Sequence, residues 1–172
     1  MEHPVVVMGV AGSGKSSLAA ALALARAESA RLIEGDAYHS PANLDKMRRG
    51  IALTDADRAG WLDALAAQLR AHPRATVLAC SALKRAYRER LRAAAPGLRF
   101  VYLEIDPASA RARIEARREA HFFSPALVDS QFAALESPVG EPGVLRVDAL
   151  APLAQLQQQV GAWLRGTVEA AQ

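Results

Sequence analysis

The chain contains one cysteine, few aromatic residues and no long apolar run. Cys80 cannot form an internal disulfide, and a single thiol without neighbouring ligands does not indicate a structural zinc site. No apolar stretch reaches the roughly 18 residues that a transmembrane helix needs. The start Met1-Glu2-His3-Pro4 also lacks the basic residues of a secretory signal. We therefore expect a cytoplasmic protein without a membrane segment.

The rest of the composition is that of a helix-rich globular domain. Hydrophobic residues make up 51% of the chain, mostly as Ala and Leu, and charged residues make up 23%. These fractions exclude the disordered and fibrous classes of protein. A length of 172 residues is typical of one domain with one core. We expect a single domain over residues 1–172.

Positive charge is concentrated in one part of the chain. The formal net charge is +3, but residues 84–118 contain ten Lys or Arg against four Asp or Glu. Such a cluster indicates either an anion-binding region or a solvated helical face. A basic module that binds nucleic acid is a further alternative. The basic region lacks interleaved aromatic residues and any recognised binding motif, so we expect no nucleic-acid partner.

Short β-branched segments alternate with stretches of helical composition. Strands are predicted over 5–8, 31–33, 76–80, 99–104 and 144–147. Helices are predicted over 14–30, 40–49, 55–71, 82–94, 107–118 and 152–168, with a loop and a helix over 119–135. This alternation predicts a three-layer α/β fold with a five-stranded, mainly parallel sheet flanked by helices. The Pro/Gly-rich stretch 136–143 is predicted to be a loop inside the domain.

A glycine-rich loop follows the first predicted strand. Gly9-Val10-Ala11-Gly12-Ser13-Gly14-Lys15-Ser16 fits the pattern G-x-x-x-x-G-K-[ST] between a strand and a helix. The glycines allow a sharp turn with inward N–H groups, and the helix adds the positive end of its dipole. The loop predicts a nucleoside triphosphate site in which Lys15 reaches the β- and γ-phosphates and Ser16 ligates Mg²⁺. Nucleotide contacts are expected from Gly9, Ala11, Gly12, Ser13, Gly14, Lys15, Ser16 and Ser17.

The second predicted strand ends in acidic residues, whereas the third ends in Cys80-Ser81. Glu34 and Asp36 are therefore the nearest candidates for placing Mg²⁺. No N-K-x-D guanine signature is present, which makes ATP the expected nucleotide. Asp36 follows the flexible Gly35 and is predicted to orient, or take the proton from, a hydroxyl that attacks the γ-phosphate. Capping of a helix is the alternative role for Asp36.

The segment 36–71 is predicted to bind the second substrate. Its polar and aromatic candidates are His39, Asn43, Lys46, Asp55, Asp57, Arg58 and Trp61. Their density suits a polyhydroxylated, anionic small molecule, although capping, pairing along helices and a core position for Trp61 are the alternatives. Lys84, Arg88 and Arg92 fall four residues apart on a predicted helix. We expect Lys84 and Arg88 to bind a carboxylate or phosphate and Arg92 to be solvated.

Residues 113–135 are predicted to form a mobile lid. Arg113 and Arg117 lie four residues apart, ahead of a stretch that holds three of the four phenylalanines. Arg113 could stack on adenine, and Arg117 could reach the phosphates, so that closure would exclude water. A surface helix with ordinary salt bridges is the alternative.

Taken together, these segments resemble the bacterial-type gluconokinases, small P-loop kinases related to shikimate and adenylate kinases. The resemblance covers about 5–138. Besides the glycine-rich loop, it rests on Gly35-Asp36-Ala37-Tyr38-His39, Asn43-Leu44-Asp45-Lys46-Met47, Leu53-Thr54-Asp55-Ala56-Asp57-Arg58, Trp61-Leu62, Cys80-Ser81-Ala82-Leu83-Lys84, Tyr87-Arg88, His121-Phe122 and Ser130-Gln131-Phe132. It implies Mg²⁺-dependent transfer of phosphate from ATP to the 6-hydroxyl of D-gluconate by a homodimer. A kinase for another small sugar acid or a shikimate-like polyol is the alternative within the same class.

The resemblance also implies roles for single residues. Lys15 and Asp36 would be catalytic, and Arg113 and Arg117 would hold the nucleotide. The residues implied to hold the sugar acid are Asp36, His39, Arg58, Lys84, Arg88, His121 and Gln131. The chain departs from the family pattern in having Glu34 where the family usually has Asp, and Ala120 where it has Gly before the lid histidine. The lid is one residue longer as well.

Overall fold

The computed structural model describes residues 3–26, 30–74, 76–117 and 126–166. The strands are β1 (Val5–Met8), β2 (Arg31–Glu34), β3 (Thr76–Ala79), β4 (Arg99–Glu104) and β5 (Val144–Asp148). The α-helices are α1 (Lys15–Ala25), α2 (Pro41–Arg48), α3 (Asp55–Ala71), α4 (Arg85–Ala94), α5 (Pro107–Ala116), α6 (Leu127–Ala134) and α7 (Leu153–Leu164). A short 3₁₀ helix covers Gly35–Tyr38. No helix in the described ranges is long and apolar enough to cross a bilayer.

The five strands form one parallel sheet in the order β2-β3-β1-β4-β5. The central strand β1 consists of Val5-Val6-Val7-Met8, and all four side chains are fully buried. β-branched residues suit a strand that is covered on both faces, as in parallel sheets with helices on either side. The predicted fold class is therefore confirmed.

The hydrophobic core lies on both faces of the sheet because side chains alternate along each strand. Val5 and Val7 pack with residues of α1, α5, α6 and α7. Val6 and Met8 pack on the other face with residues of α3 and α4. The result is three layers with the sheet in the middle.

The sheet order determines which loops meet. In a parallel sheet all strands end at the same edge, and ligands of open α/β folds bind there. The glycine-rich loop follows β1, Asp36 lies just after β2, and Ser81 lies just after β3. Because β3 lies between β2 and β1, Ser81 stands between the acidic residue and the phosphate loop.

Helix α4 starts three residues later than predicted, at Arg85 instead of 82. Ala82 has a positive φ of 44°, and Lys84 is extended, with a ψ of 147°. Neither conformation continues a right-handed helix. Lys84 therefore lies at the helix N-cap, and only Arg88 and Arg92 are on the helix itself.

Candidate active site

One cavity at the carboxyl edge of the sheet brings together residues from distant parts of the chain. It is bounded by the phosphate loop, the segment after β2, Ser81 and parts of α3, α5 and α6. The predicted site residues that line it are Ala11, Gly12, Gly14, Lys15, Ser16, Ser17, Asp36, His39, Arg58, Arg113, Arg117 and Gln131. Four others, Gly9, Ser13, Lys84 and Arg88, lie elsewhere, and His121 is outside the described residues. The structure thus groups most of the predicted residues around one space.

The phosphate loop has the backbone shape that its glycines allow. Gly12 and Gly14 have φ values of +80° and +92°, in a region that residues with a side chain disfavour. Helix α1 starts directly after them at Lys15, so that its N-terminal N–H groups point towards the cavity. Lys15 Nζ donates a hydrogen bond to the Val10 carbonyl at 3.0 Å. Burial lowers the pKa of Lys15, and the nearby Asp36 carboxylate opposes this shift.

Ser13 is placed differently from the prediction. Its side chain is buried, and its Oγ has no hydrogen-bond partner among the residues that the structure describes. A Cβ built on Gly9 would lie 2.7 Å from that oxygen, which shows how closely the two residues pack. Gly9 and the Ser13 side chain therefore pack against each other and do not line the cavity.

Ser16 and Glu34 provide two oxygen donors beside the phosphate loop. Ser16 Oγ donates a hydrogen bond to Glu34 Oε2 at 2.9 Å. Mg²⁺ prefers oxygen ligands, and it is usually held by one or two protein groups together with phosphates and water. The Glu34 side chain, at the end of β2, thus reaches the serine that the motif assigns to the metal. This donor pair fits Mg²⁺.

Asp36 lies in the 3₁₀ helix that follows β2, and its side chain is 70% exposed. A Cβ on Gly35 would lie 2.6 Å from the Ala79 carbonyl oxygen, so glycine is needed here for close packing against β3. Trp61 Nε1 also donates to the Gly35 carbonyl at 2.8 Å. The expectation that Gly35 makes this segment flexible is therefore wrong. The N-cap of the 3₁₀ helix is Glu34, so Asp36 does not act as its cap.

His39 forms the wall of the cavity next to Asp36. Its ring stacks on Trp61 with centroids 4.5 Å apart and planes 12° from parallel. His39 Nε2 lies 4.0 Å from Asp36 Oδ1. Burial lowers the pKa of His39, Arg58 lowers it further, and Asp36 opposes both. The imidazole is therefore neutral at pH 7, with a ring nitrogen suited to hydroxyl groups.

Arg58 is the basic residue of α3 that lines the cavity, and its guanidinium lies 5.6 Å from the centroid of the Tyr87 ring. Lys84 does not join it as predicted. Lys84 Nζ donates to Asp55 Oδ1 at 2.8 Å, and the Tyr87 hydroxyl donates to the same oxygen. The hydrogen bond to Asp55 raises the pKa of Lys84. Lys84 therefore has a carboxylate partner within the protein.

Arg88 is buried beneath the loop after β3 and does not face the cavity. Its side chain is 0% exposed, and Nε and Nη2 both donate to the Glu141 carboxylate. The structure thus places Arg88 against a protein carboxylate, not where it was predicted to meet a ligand. Arg92 shares that carboxylate at 2.9 Å and lies over the Phe100 ring, so the expectation that Arg92 is solvated is wrong.

Sequence reasoning did not single out Glu141. The residue lies in the Pro/Gly-rich loop after α6, and 53 residues separate it from Arg88. In the sequence, Glu141 stands out only as one of two acidic residues, with Glu136, in a run of turn-forming residues. This pattern does not indicate that Arg88 is its partner.

Two residues from the predicted lid region contact the phosphate loop. Arg113 Nη1 donates to the Gly12 and Ser13 carbonyls at 3.4 and 3.3 Å, and Nη2 donates to the Ala149 carbonyl at 2.9 Å. Gln131 Oε1 accepts a hydrogen bond from the Ala11 N–H at 2.7 Å. Helices α5 and α6 are thus attached to the loop from the side opposite Asp36. The rest of the predicted lid, 118–125, lies outside the described residues.

The start of α3, which carries Arg58, is held by Asp57. Its carboxylate accepts hydrogen bonds from Lys46 Nζ at 2.7 and 2.9 Å and from the Thr54 N–H at 2.9 Å. Thr54 Oγ1 accepts in return from the Asp57 N–H, completing a capping box. These contacts lower the pKa of Asp57 to about 2, and the hydrogen bond from Lys46 has the largest effect.

We expect the protein to lose stability in acid, where protonation of Asp57 removes the contribution of its hydrogen bonds. A carboxyl with a lowered pKa stabilises the folded state above its unfolded pKa of about 3.8, and this contribution is lost as the pH falls towards 2. Unfolding midpoints in urea, measured from about pH 5 to about pH 2, should therefore fall more steeply for the wild type than for Asp57→Asn. Asp45→Asn, which removes an exposed pair with Arg49, is the matched control. Parallel curves for Asp57→Asn and the wild type would contradict the prediction.

Comparison with known proteins places this arrangement among the kinases. Residues 5–141 match a family described as AAA domain. A gluconokinase of Gluconobacter oxydans (strain 621H) is 46% identical over 147 residues, which cover 83% of this chain and 80% of that protein. The thermosensitive gluconokinase of Escherichia coli (strain K12) is 38% identical over 158 residues, 90% and 83% of the two chains. The solved structure of a gluconokinase from Sinorhizobium meliloti 1021 matches with a TM-score of 0.86 and 43% identity, covering 95% of this chain and 92% of that one.

Proposed function

Since this chain belongs to the gluconokinase family, we propose that it transfers the γ-phosphoryl group of ATP to the 6-hydroxyl of D-gluconate. The products are ADP and 6-phospho-D-gluconate. The observation that carries the proposal is the single cavity that joins the phosphate loop to Asp36 and Arg58. A kinase needs a phosphate cradle, an acceptor-activating group and an acceptor-binding group in one space, and these residues supply all three.

On the donor side, the loop and Lys15 would bind the phosphates of ATP. Backbone N–H groups at the start of α1 and the Lys15 ammonium both place positive charge where the transferred group gains negative charge. Ser16 and Glu34 would hold Mg²⁺, which supplies further charge neutralisation when bound. Arg113 and Arg117 line the same side of the cavity and would contact the nucleotide.

On the acceptor side, Asp36 would orient the 6-hydroxyl and take its proton. The hydroxyl oxygen forms a bond to the γ-phosphorus as the bond from that phosphorus to the ADP oxygen breaks. A largely exposed carboxylate beside the phosphate loop is within reach of both the acceptor hydroxyl and the transferred group. His39 is neutral and offers hydrogen bonds to hydroxyl groups, and Arg58 would bind the carboxylate at the far end of the sugar acid.

We assign two regions of the single domain to these tasks. Residues 36–71 would form the acceptor-binding segment, because Asp36, His39 and Arg58 all come from it. Residues 113–135 would form the lid, and Arg113 and Gln131 already join that region to the phosphate loop. We further propose that the enzyme works as a homodimer in the cytoplasm, where ATP is available. Sedimentation of the purified protein would test the dimer.

The proposed function is tested by ADP release from Mg-ATP with and without D-gluconate. Epimers of gluconate, shikimate and glucose are the comparison acceptors, and glucose is the matched control because it lacks the carboxylate. We expect turnover to depend on gluconate and to be absent with glucose. Turnover only with another acid would replace the substrate while keeping the kinase reaction. Binding of an oligonucleotide at low salt, with no turnover of any acceptor, would favour the nucleic-acid alternative.

A further inference from the structure

The loop after β3 contributes Ser81 to the lining of the cavity. Strand β3 lies between β1 and β2, so the loop that follows it stands between the phosphate loop and Asp36. Ser81 is the second residue after the strand. The backbone of β3 is held in register up to this point, since the Cys80 N–H donates to the Val7 carbonyl at 3.1 Å. The direction of the chain beyond Cys80 therefore decides where Ser81 lies.

The chain turns immediately after Ser81 in a conformation that is unfavourable for its residue. Ala82 has a φ of 44°, a backbone conformation that a residue other than glycine adopts only where its surroundings impose it. Ala82 and Leu83 are both fully buried. Their carbonyl oxygens accept hydrogen bonds from Arg88 Nη1 at 2.9 and 3.0 Å. The Arg88 guanidinium thus fixes two successive peptide groups of the turn.

Arg88 can remain in this position because Glu141 neutralises it. Glu141 Oε1 accepts from Arg88 Nη2 at 2.5 Å, and Oε2 accepts from Arg88 Nε at 3.0 Å. The Arg88 side chain is 0% exposed and the Glu141 side chain 8% exposed, and a buried guanidinium without a carboxylate is strongly disfavoured. Burial opposes ionisation of Glu141, but hydrogen bonds from Arg88 and Arg92 outweigh it and hold the pKa of the carboxyl below its ordinary value.

We propose that Glu141 is a positioning residue for phosphoryl transfer, which acts through Arg88 and the Ala82 and Leu83 carbonyls to hold Ser81 in place. The proposal rests on the proposed function for its reaction. It assigns a role to the Pro/Gly-rich loop, which otherwise only connects α6 to β5. Glu136 of the same loop contacts the turn as well, since its N–H donates to the Leu83 carbonyl at 2.9 Å.

The test is a double-mutant cycle between Glu141→Gln and Ser81→Ala, with kcat and both KM values measured well below the melting temperature of each variant. Glu141→Gln is expected to lower kcat by roughly 10- to 100-fold, with the KM for ATP changed less than about threefold. If Glu141 acts through Ser81, Ser81→Ala alone is also expected to lower kcat by roughly 10-fold or more, and the double variant is expected to be no slower than the slower single variant by more than about twofold. Single effects that multiply in the double variant would overturn the proposal. An unchanged kcat in Glu141→Gln or in Ser81→Ala would overturn it as well.

Controls separate positioning from folding. Asp63→Asn removes an exposed ion pair between Asp63 of α3 and Arg90, which lies on α4 together with Arg88, and this variant is expected to leave kcat unchanged. Glu141→Asp keeps the charge and shortens the side chain, so it is expected to recover part of the lost kcat. It replaces Glu141→Gln in the cycle if circular dichroism shows that Glu141→Gln does not fold. A cycle run with whichever acceptor the wild type phosphorylates keeps this result separate from the identity of the acceptor.

Discussion

Asp36→Asn is expected to lower kcat by roughly 10² to 10⁴ while the KM for ATP changes by less than about threefold. The amide keeps the shape of the side chain but cannot take the proton of the attacking hydroxyl. Asp36 is largely exposed, and the 3₁₀ helix that carries it is held by the Trp61 hydrogen bond to Gly35 and by close packing against Ala79. The substitution should therefore leave the fold and the nucleotide site intact.

The measurement is steady-state ADP release at saturating ATP and gluconate, with ATP binding followed separately by calorimetry. Asp45→Asn is the matched control, because Asp45 on α2 is also exposed but pairs with Arg49 at the end of that helix. The control is expected to retain wild-type kcat. An Asp36→Asn variant with unchanged turnover would remove Asp36 from the mechanism. A variant that no longer binds ATP would show instead that Asp36 supports the nucleotide site.

Arg58→Ala is expected to raise the KM for gluconate by roughly 10- to 100-fold, which corresponds to the loss of a hydrogen bond to a charged group. The KM for ATP should change by less than about threefold. Among the three cations predicted to meet the sugar acid, Arg58 is the one that lines the cavity, whereas Lys84 is paired with Asp55 and Arg88 with Glu141. Of these three cations, Arg58 is therefore the one available to a ligand carboxylate.

Two further variants make this prediction specific. Arg58→Lys keeps the charge but loses the planar pair of donors, so an intermediate KM is expected. Lys84→Ala is expected to raise the KM for gluconate by less than about threefold, because Lys84 already has a partner in Asp55. A larger effect at Lys84 than at Arg58 would support the assignment made from the sequence alone. Equal increases in the KM for ATP and for gluconate would contradict a role in reading the carboxylate.

The parts of the site that could be predicted from the sequence are those that depend on residues close together in the chain. The phosphate loop needs glycines, Lys15 and Ser16 at fixed spacing between a strand and a helix, and each requirement is local. Asp36 could be placed because a residue just after a parallel strand must reach the carboxyl edge of the sheet. For the same reason the five strands were predicted to within about a residue of their observed bounds.

The sequence did not show the protein partners of three basic residues, because those partners lie far away in the chain. Arg88 and Arg92 share a carboxylate that 53 residues separate from Arg88, and Lys84 is bound by a residue 29 positions before it. The predicted helical face also depended on a start at 82, where the positive φ of Ala82 prevents a helix. The hydrogen bonds from Arg88 to the Ala82 and Leu83 carbonyls could not be foreseen from residue types.

The sequence by itself determined the three-layer fold, the phosphate loop and the acidic residue beside it, because strand periodicity and loop geometry depend on near neighbours in the chain. Only the tertiary structure decided which positive charges face the ligand. Burial makes an unpaired charge costly, so a cation close to a buried carboxylate pairs with it instead of with substrate. Which cations find such a partner depends on distances between segments that only the fold brings together. In this fold Arg58 lines the cavity, whereas Arg88 is buried against Glu141 beneath it.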